Sequence, residues 1–301
     1  MPQLAKQTAI TDSPFYPGNK SAYKQWREAK LRFLKPAMSD VLVRITDPYR
    51  LSAEENAAIA VCCENYNMAV YQLGDTSVRD KSLVHALGKQ FAMEKLDANL
   101  RSDEDSISSL EVREQNGNQY IPYTNKALSW HTDGYYNPLD KQIFGIIMHC
   151  VSPAAAGGVN SLLNPENIYI ALRDENPAYI EALMHPQAMT IPANIDSGEV
   201  IRQAQTGPVF MIKPNGRLHM RFSARKRNIR WRDTPDTQNA VAMINDFLAD
   251  ESNVLQVKLE AGQGIICNNV LHNRSGFTDG SIQKRLMYRA RYYDAVESFK
   301  L

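Results

Sequence analysis

The chain has 301 residues, of which 44% are hydrophobic and 22% are charged, a balance typical of water-soluble globular proteins. Its formal net charge of +1 gives no electrostatic reason to expect binding to nucleic acid or to an anionic membrane surface. The four cysteines show neither a zinc-binding spacing nor a disulfide framework, which favours reduced thiols and a cytoplasmic location.

No segment is expected to direct secretion or to cross a membrane. Residues 1–18 are polar and contain prolines, and they lack the apolar centre and cleavage pattern of a signal peptide. The most apolar stretch, 143–159, is interrupted by His149, Ser152 and Pro153 and is too short to span a bilayer.

The first third of the chain has mainly helical patterns. Apolar residues over 23–34 are spaced for one face of an amphipathic helix. Ser52 and Glu55 form a capping-box pattern, which predicts that a second helix begins there. A third helix is expected over 81–91, where apolar residues recur four apart. We therefore predict a mainly helical flank over 1–105.

After residue 105 the pattern changes to short strands separated by turn signals, with helices expected at 165–173 and 237–248. The predicted strands are 143–148, 161–163, 209–212, 219–222, 254–259, 264–267 and 286–293. Many short strands with long connections predict a mainly β fold, a double-sheet jelly roll, rather than alternating strands and helices. Without repeats or linkers, the simplest organisation is a single domain over 1–301 with its jelly-roll core at 106–301.

The residues that could carry chemistry lie in two distant segments. The first, 130–133, holds His131 and Asp133, which would project to the same side of an extended chain. The second, 268–274, holds His272 directly after an apolar run. Two imidazoles and one carboxylate are the ligand set of the facial triad in non-haem Fe(II) oxygenases.

Three arginines lie along the last predicted strand or directly before it. Arg285, Arg289 and Arg291 are at even spacings, so their side chains would share one face. A planar guanidinium binds a carboxylate through two parallel hydrogen bonds, and a buried arginine requires a partner. This pattern favours an anionic ligand such as a carboxylate co-substrate.

Each of these signals also has an ordinary structural explanation. His131 and Asp133 could belong to a surface turn in which the carboxylate caps a neighbouring amide. His272 could be a core histidine, although a polar cluster at the end of an apolar strand is typical of a site. The arginines could form a solvated strand face. The sequence contains no dinucleotide-binding, phosphate-loop or nucleophile-elbow motif.

Together, the segments resemble the taurine dioxygenase/TfdA-like family of Fe(II)- and 2-oxoglutarate-dependent dioxygenases. Residues 130–133 look like its proximal metal motif, and 268–274 resemble its distal histidine motif. Residues 285–289 resemble its arginine segment, and 157–163 are similar to its Gly-Gly strand entry, especially in the glutarate hydroxylase branch. The likeness covers roughly residues 120–295 and implies a double-stranded β-helix of the clavaminate synthase type.

The resemblance implies that His131, Asp133 and His272 bind Fe(II), with 2-oxoglutarate and O2 as co-substrates. The expected reaction hydroxylates a C–H bond and releases succinate and CO2. Related halogenases lack the carboxylate ligand, so the presence of Asp133 favours hydroxylation.

The resemblance also implies how the co-substrate is held. Arg285 would clamp the far carboxylate of 2-oxoglutarate, and Arg289 would face the primary substrate or assist the same carboxylate. The family usually has a threonine after the Gly-Gly turn to bind the 2-oxoglutarate tail. Here either Asn160 or Ser161 must replace it.

The expected partner is a small-molecule substrate. Arg289 and Arg291 indicate an anion such as a carboxylate. Tyr123, Tyr135 and Tyr136, which look closer to the γ-butyrobetaine hydroxylase branch, indicate instead an aromatic cage for a quaternary ammonium group. A betaine-like zwitterion would suit both. A homo-oligomer is possible.

Two other functions fit the same residues. One is a jelly-roll protein that binds or senses a metal and an oxo-acid without turnover. The other is a cupin-type isomerase, or a dioxygenase that does not use 2-oxoglutarate.

Overall fold

The computed structural model of the chain describes residues 10–98, 105–112, 121–225, 227 and 229–297. Within these ranges, no helix combines the length and the apolar character needed to cross a membrane. The cytoplasmic location stays a prediction.

Seven α-helices are described. They are α1 (Lys20–Lys30), α2 (Met38–Val41), α3 (Ala53–Tyr66), α4 (Ser82–Lys89), α5 (Pro165–Glu175), α6 (Pro177–Met184) and α7 (Pro235–Ala249). Short 3₁₀ helices cover Leu31–Phe33, Ile121–Tyr123, Leu139–Lys141 and Glu251–Asn253.

The strands described are β1 (Leu42–Ile45), β2 (Met68–Leu73), β3 (Ser108–Leu110), β4 (Leu128–His131), β5 (Gly145–Ser152), β6 (Ala156–Gly157), β7 (Asn160–Leu163), β8 (Met189–Ile191), β9 (Asn194–Asp196), β10 (Glu199–Arg202), β11 (Gln205–Gly207), β12 (Phe210–Ile212), β13 (Leu218–Met220), β14 (Arg230–Trp231), β15 (Leu255–Val257), β16 (Gln263–Cys267), β17 (Leu271–Arg274), β18 (Phe277–Thr278) and β19 (Leu286–Tyr292).

The predicted helices all occur, with shifted ends. The capping box is present at α3: the Ser52 hydroxyl accepts from the Glu55 backbone N–H, and the Glu55 carboxylate accepts from the Ser52 N–H. Asn67, in the left-handed conformation with φ 58°, ends the same helix.

The chain divides into two compact units, each built from separate stretches of sequence. One unit comprises 1–35, 134–142 and 163–254, and the other comprises 36–133, 143–162 and 255–301. We call them the helical unit and the sheet unit. The single-domain prediction stays a prediction.

The boundary expected at residue 105 is wrong as a boundary of the β core. Strands β1 and β2 lie before it, and they form a parallel pair at one edge of a six-stranded sheet ordered β1-β2-β16-β5-β19-β3. Residues 163–254, expected inside the core, belong to the helical unit. The strands were missed because β2 is buried on both faces and therefore lacks the alternation of a half-exposed strand.

The six-stranded sheet has two apolar faces, which follow the two-residue period of its strands. On one face, Tyr71, Ile147 and Ile266 pack with the buried residues of α3 and α4. The other face, with Ile146 and Ile265, shares a core with residues of a four-stranded sheet ordered β15-β7-β17-β4. The second core therefore lies between the two sheets of the sheet unit.

In the helical unit, buried polar contacts attach the N-terminal segment to α5. The Arg173 guanidinium donates to the carbonyls of Pro14 at 2.8 Å and Pro17 at 3.0 Å. Lys30 forms a buried ion pair with Glu166 at 2.5 Å. Burial of the Arg173 and Lys30 charges is tolerated because Arg173 has carbonyl acceptors and Lys30 has the Glu166 carboxylate.

Gly264 is required for close packing in the six-stranded sheet. An added Cβ would overlap the Tyr71 ring and the Met148 carbonyl. We expect Gly264→Ala to lower the free energy of unfolding by about 1–3 kcal/mol, the usual cost of overpacking. Denaturant unfolding measures this. Gly74→Ala is the control, because its Cβ would meet only the Ile45 carbonyl at 3.8 Å, and an equal loss in both variants would contradict the prediction.

Candidate active site

The pairing of β4 with β17 brings the two predicted histidine ligands together. His131 and His272 are directly opposite in this antiparallel pair, and their ring centroids are 4.3 Å apart. Both side chains are buried. Residues far apart in the sequence therefore meet because of strand register.

Both imidazoles are oriented by backbone carbonyls two residues earlier. Nδ1 of His131 lies 2.9 Å from the Ser129 carbonyl oxygen, and Nδ1 of His272 lies 2.9 Å from the Val270 carbonyl oxygen. Since a carbonyl only accepts, each Nδ1 carries the proton in these hydrogen bonds. Each Nε2 then keeps a lone pair that can bind a metal.

Asp133, the predicted oxygen ligand, lies in the turn that follows β4. Its Oδ1 lies 3.4 Å from Nε2 of His131 and 3.9 Å from Nε2 of His272. One ligand atom from each of the three residues lies within 4.8 Å of the others. Among the described residues, Asp133 Oδ2 is buried and accepts no hydrogen bond. Two imidazole nitrogens and a carboxylate with spare acceptor capacity suit Fe(II).

The Asp133 carboxylate is ionised despite its burial. Burial is the largest influence and favours the neutral acid, but Arg289, His131, His272 and Arg291 together outweigh it and hold the pKa of Asp133 well below its usual value. Nη1 of Arg289 lies 3.2 Å from Asp133 Oδ2. The site thus contains a fixed negative charge paired with a guanidinium.

Burial lowers the pKa of His272 to about 4, and the neighbouring His131 contributes in the same direction. The His272 ring is therefore neutral at physiological pH, as a metal ligand must be.

A pocket lies beside the histidines, between the two sheets of the sheet unit. It is lined by Leu110, Pro122, Leu128, Ile146, Met148, Asn160, Leu162, Ile265, Cys267, Val270, His272, Asn273, Arg274, Arg285 and Arg289. Its walls are mostly apolar, with a few polar groups, as is usual for small-molecule sites.

The pocket is positively charged. In the part of the chain that the structure describes, no carboxylate forms an ion pair with Arg285 or Arg274. The Arg274 guanidinium donates to the carbonyls of Thr124 and Lys126. Burial lowers the pKa of Arg274 to about 10, and the nearby Arg285 charge adds to this. Two guanidiniums without an ion pair among the described residues therefore lie in one pocket, with the Asp279 charge acting on Arg285, and such a pocket suits an anion.

Asn160 and Ser161, the alternatives for the missing threonine, differ in position. Asn160 lines the pocket together with Arg285, whereas Ser161 is not among the lining residues. The backbone N–H of Ser161 donates to Asn273 Oδ1 at 3.3 Å. Successive residues of β7 point to opposite faces, so only one of the two can face the pocket.

Arg289 and Arg291, both predicted to bind substrate, have different surroundings. Arg289 lines the pocket next to Asp133. Arg291 forms a buried ion pair with Asp97, which also accepts from the Tyr293 hydroxyl at 2.6 Å. The charge of Arg291 is therefore balanced within the protein.

The three tyrosines predicted to bind substrate do not line this pocket. Tyr123 packs in the core between the sheets. Tyr135 and Tyr136 belong to the helical unit, where their rings meet edge to face at 5.2 Å. The Arg202 guanidinium lies 5.8 Å from the centre of the Tyr136 ring. Burial raises the pKa of Tyr135.

Two residues with important contacts had no assigned role in the sequence analysis. Asp97 forms an ion pair with Arg291, and no local sequence pattern predicts that contact. Asn269 was noted only as part of a polar cluster, but its side chain bonds to the main chain of Asp133. Its position three residues before His272 was the available signal.

The sequence profile described as taurine catabolism dioxygenase TauD, TfdA family matches residues 37–291. The chain belongs to this family. It is therefore an Fe(II)- and 2-oxoglutarate-dependent dioxygenase, which confirms the predicted family, enzyme class and cofactors.

A curated relative of the dioxygenase is the uridine-5′-phosphate dioxygenase from a Streptomyces species. The two are 30% identical over 204 residues, which are 65% of this chain and 73% of the relative.

Solved structures with the same fold include three oxygenases. An asparagine oxygenase in complex with Fe(II), 3-hydroxyasparagine and succinate has a TM-score of 0.60 and 14% identity, covering 80% of each chain. The non-heme iron oxygenase OrfP with Fe, succinate and dihydroxy-L-Arg has a TM-score of 0.62 and 15% identity, and the match covers 81% of this chain and 82% of that chain. An alpha-ketoglutarate-dependent taurine dioxygenase-like protein from Burkholderia xenovorans has a TM-score of 0.58 and 14% identity, and the match covers 86% of this chain and 91% of that chain.

Loss of either member of the proximal pair should remove metal binding. We expect His131→Ala and Asp133→Ala each to weaken Fe(II) binding by more than about 100-fold, beyond the range for residues that only support a ligand. Anaerobic titration calorimetry measures the affinity. His185→Ala is the control, because that histidine lies in the helical unit and accepts a hydrogen bond from the Gln187 N–H. Retained affinity in the first two variants would contradict the ligand assignment.

Proposed function

We propose that the enzyme hydroxylates a C–H bond of a small anionic molecule, with conversion of 2-oxoglutarate to succinate and CO2. The observation that carries the co-substrate part of this proposal is the buried Arg285 guanidinium, which lines the same pocket as His272 and forms no ion pair with a carboxylate among the described residues. A charge buried in this way requires an anion.

His131, Asp133 and His272 are the proposed Fe(II) ligands. Iron held by these three residues would supply the redox chemistry that couples decarboxylation of 2-oxoglutarate to hydroxylation. The protein contributes two imidazoles with fixed tautomers and one ionised carboxylate.

Arg285 and Asn160 are proposed to hold the far carboxylate of 2-oxoglutarate. The Arg285 fork can donate two parallel hydrogen bonds, and the Asn160 amide can donate a third. Among the described residues, the Nδ2 group of Asn160 has one long contact, 3.5 Å to the Val257 carbonyl, so a carboxylate would offer it a better acceptor. Ser161 is assigned no contact with the co-substrate.

Arg289 is proposed to do two things. It balances the Asp133 carboxylate, and its Nε, which is buried without a hydrogen-bond partner among the described residues, remains available to an anionic ligand. Arg291 is assigned a supporting role instead, because Asp97 already neutralises it.

An anionic primary substrate is favoured over a quaternary ammonium. The Tyr136 ring already lies near the Arg202 cation, so a cationic ligand there would meet like charge. The likeness to a uridine-5′-phosphate dioxygenase supports an anionic substrate. We place nucleoside 5′-monophosphates first, ahead of simple carboxylates, betaines and amino acids.

The fold is proposed to be a double-stranded β-helix of the clavaminate synthase type. The support is the pair of sheets with a shared core, in which β4 and β17 carry the two histidines and β19 directly follows Arg285. Homo-oligomer formation stays a prediction.

Arg285→Ala should raise the KM for 2-oxoglutarate without affecting metal binding. Loss of a charge-assisted pair costs about 2–3 kcal/mol, which corresponds to roughly a 30- to 150-fold increase. Succinate formation at varied 2-oxoglutarate measures KM, and calorimetry measures Fe(II) affinity. Arg44→Ala is a matched control because Arg44 is exposed on β1. An unchanged KM in Arg285→Ala would reject the clamp.

The two candidates for the tail contact can be separated in the same assay. We expect Asn160→Ala to raise the KM for 2-oxoglutarate about 10-fold, in line with one hydrogen bond to a charged group. Ser161→Ala should leave KM unchanged. The opposite result would assign the contact to Ser161.

The substrate class is tested by a turnover panel. Uridine 5′-phosphate, other nucleoside 5′-monophosphates, glutarate, γ-butyrobetaine, asparagine and arginine are each supplied with Fe(II), 2-oxoglutarate and O2, and succinate is measured above the uncoupled rate. Stimulation by a nucleotide supports the proposal. Stimulation by γ-butyrobetaine alone would overturn the preference for an anion.

A further inference from the structure

Asn269 makes an unusually complete set of contacts with the residue that supplies the carboxylate ligand. Its Oδ1 accepts from the Asp133 backbone N–H at 2.8 Å, and its Nδ2 donates to the Asp133 carbonyl at 2.9 Å. The same Nδ2 donates to the Ile143 carbonyl at 2.6 Å. One side-chain amide therefore satisfies both main-chain polar groups of Asp133, as a neighbouring strand would.

The location of these bonds gives them a consequence for the metal centre. Asn269 is 1% exposed and lies three residues before His272 on the same segment. Asp133 lies in a turn, outside the β4–β17 ladder that fixes His131 and His272. The amide bonds therefore link the main chain of the carboxylate ligand to the segment that carries the distal imidazole.

The backbone of Asn269 is specialised for this contact. Its φ is 49°, in the left-handed region where asparagine is tolerated better than most residues. An asparagine at this position can adopt the left-handed backbone conformation, and its amide can form the hydrogen bonds to Asp133. A substitution that keeps the conformation but removes the amide distinguishes these two roles.

We propose that Asn269 is a positioning residue that sets the place of the Asp133 carboxylate relative to the two imidazoles, and thereby the metal affinity. The proposal rests on the assignment of His131, Asp133 and His272 as ligands. Residues that orient metal ligands typically contribute 10- to 100-fold to affinity.

The test is an anaerobic titration of the full-length protein with Co(II), followed by its visible absorption and by calorimetry. Asn269→Gly keeps access to the left-handed conformation but removes the amide. We expect it to weaken Co(II) binding about 10- to 100-fold and to change the intensity of the absorption band, because the carboxylate is displaced. Asn269→Ser, whose shorter side chain has a hydroxyl but no amide to bond both main-chain groups of Asp133, should behave similarly and is available if the glycine variant does not fold.

Asn268→Ala is the matched control. This neighbouring amide bonds to Asn67 and to the Val296 N–H, and no described contact joins it to Asp133. Its Co(II) affinity and spectrum should stay within about twofold of the parent, well below the effect of a ligand-orienting residue.

Two outcomes would overturn the proposal. One is wild-type Co(II) affinity and spectrum in folded Asn269→Gly or Asn269→Ser, which would reduce the residue to a backbone role. The other is an equal loss in Asn268→Ala, which would indicate general destabilisation of the segment. Failure of the ligand assignment is distinguishable, because His131→Ala would then bind Co(II) normally.

Discussion

The centre depends on the register of one antiparallel strand pair. His131 and His272 are opposite each other across β4 and β17, and side chains in directly opposite positions are the closest neighbours that two strands can offer. A slip of one residue would turn one ring to the other face of the sheet. The Asp133 carboxylate lies close to His131, and Arg289 lies close to Asp133, so the positions of both depend on this strand pair.

The buried charges around the pocket are partly balanced within the protein. Asp133 has Arg289 beside it, and Arg291 has Asp97, so these charges are compensated inside the protein. No described carboxylate forms an ion pair with Arg274 or Arg285, although the Asp279 charge acts on Arg285. The pocket therefore combines a locally neutral ligand set with a surplus of positive charge, which suits a metal cation on one side and a dicarboxylate on the other.

Much of the site could be predicted from local sequence. Two signals are local: the two-residue spacing of His131 and Asp133, and the polar cluster around His272 after an apolar strand. The family resemblance then assigned both segments to one metal site. The capping box at Ser52 predicted the start of α3 because its hydrogen bonds span only three residues. The strand β19 could be predicted because residues 286–293 form a short β-type run.

The rest depends on contacts between distant residues. The choice between Asn160 and Ser161 requires the register of β7, which no local pattern gives. The neutralisation of Arg291 depends on Asp97, 194 residues away. The burial of Tyr123 in the core likewise follows from packing between sheets, so its aromatic character alone suggested a cage.

The two bonds from imidazole Nδ1 to carbonyls two residues earlier have a further consequence. They tie each ring plane to the peptide groups of its own strand, so the direction of each lone pair follows the backbone and changes only when the strand deforms. No substitution elsewhere can remove these acceptors, since every residue at positions 129 and 270 carries a carbonyl. The orientation of both imidazole rings therefore does not depend on which side chains occupy positions 129 and 270. Substitutions can change the pocket walls while the orientation of the two rings stays the same.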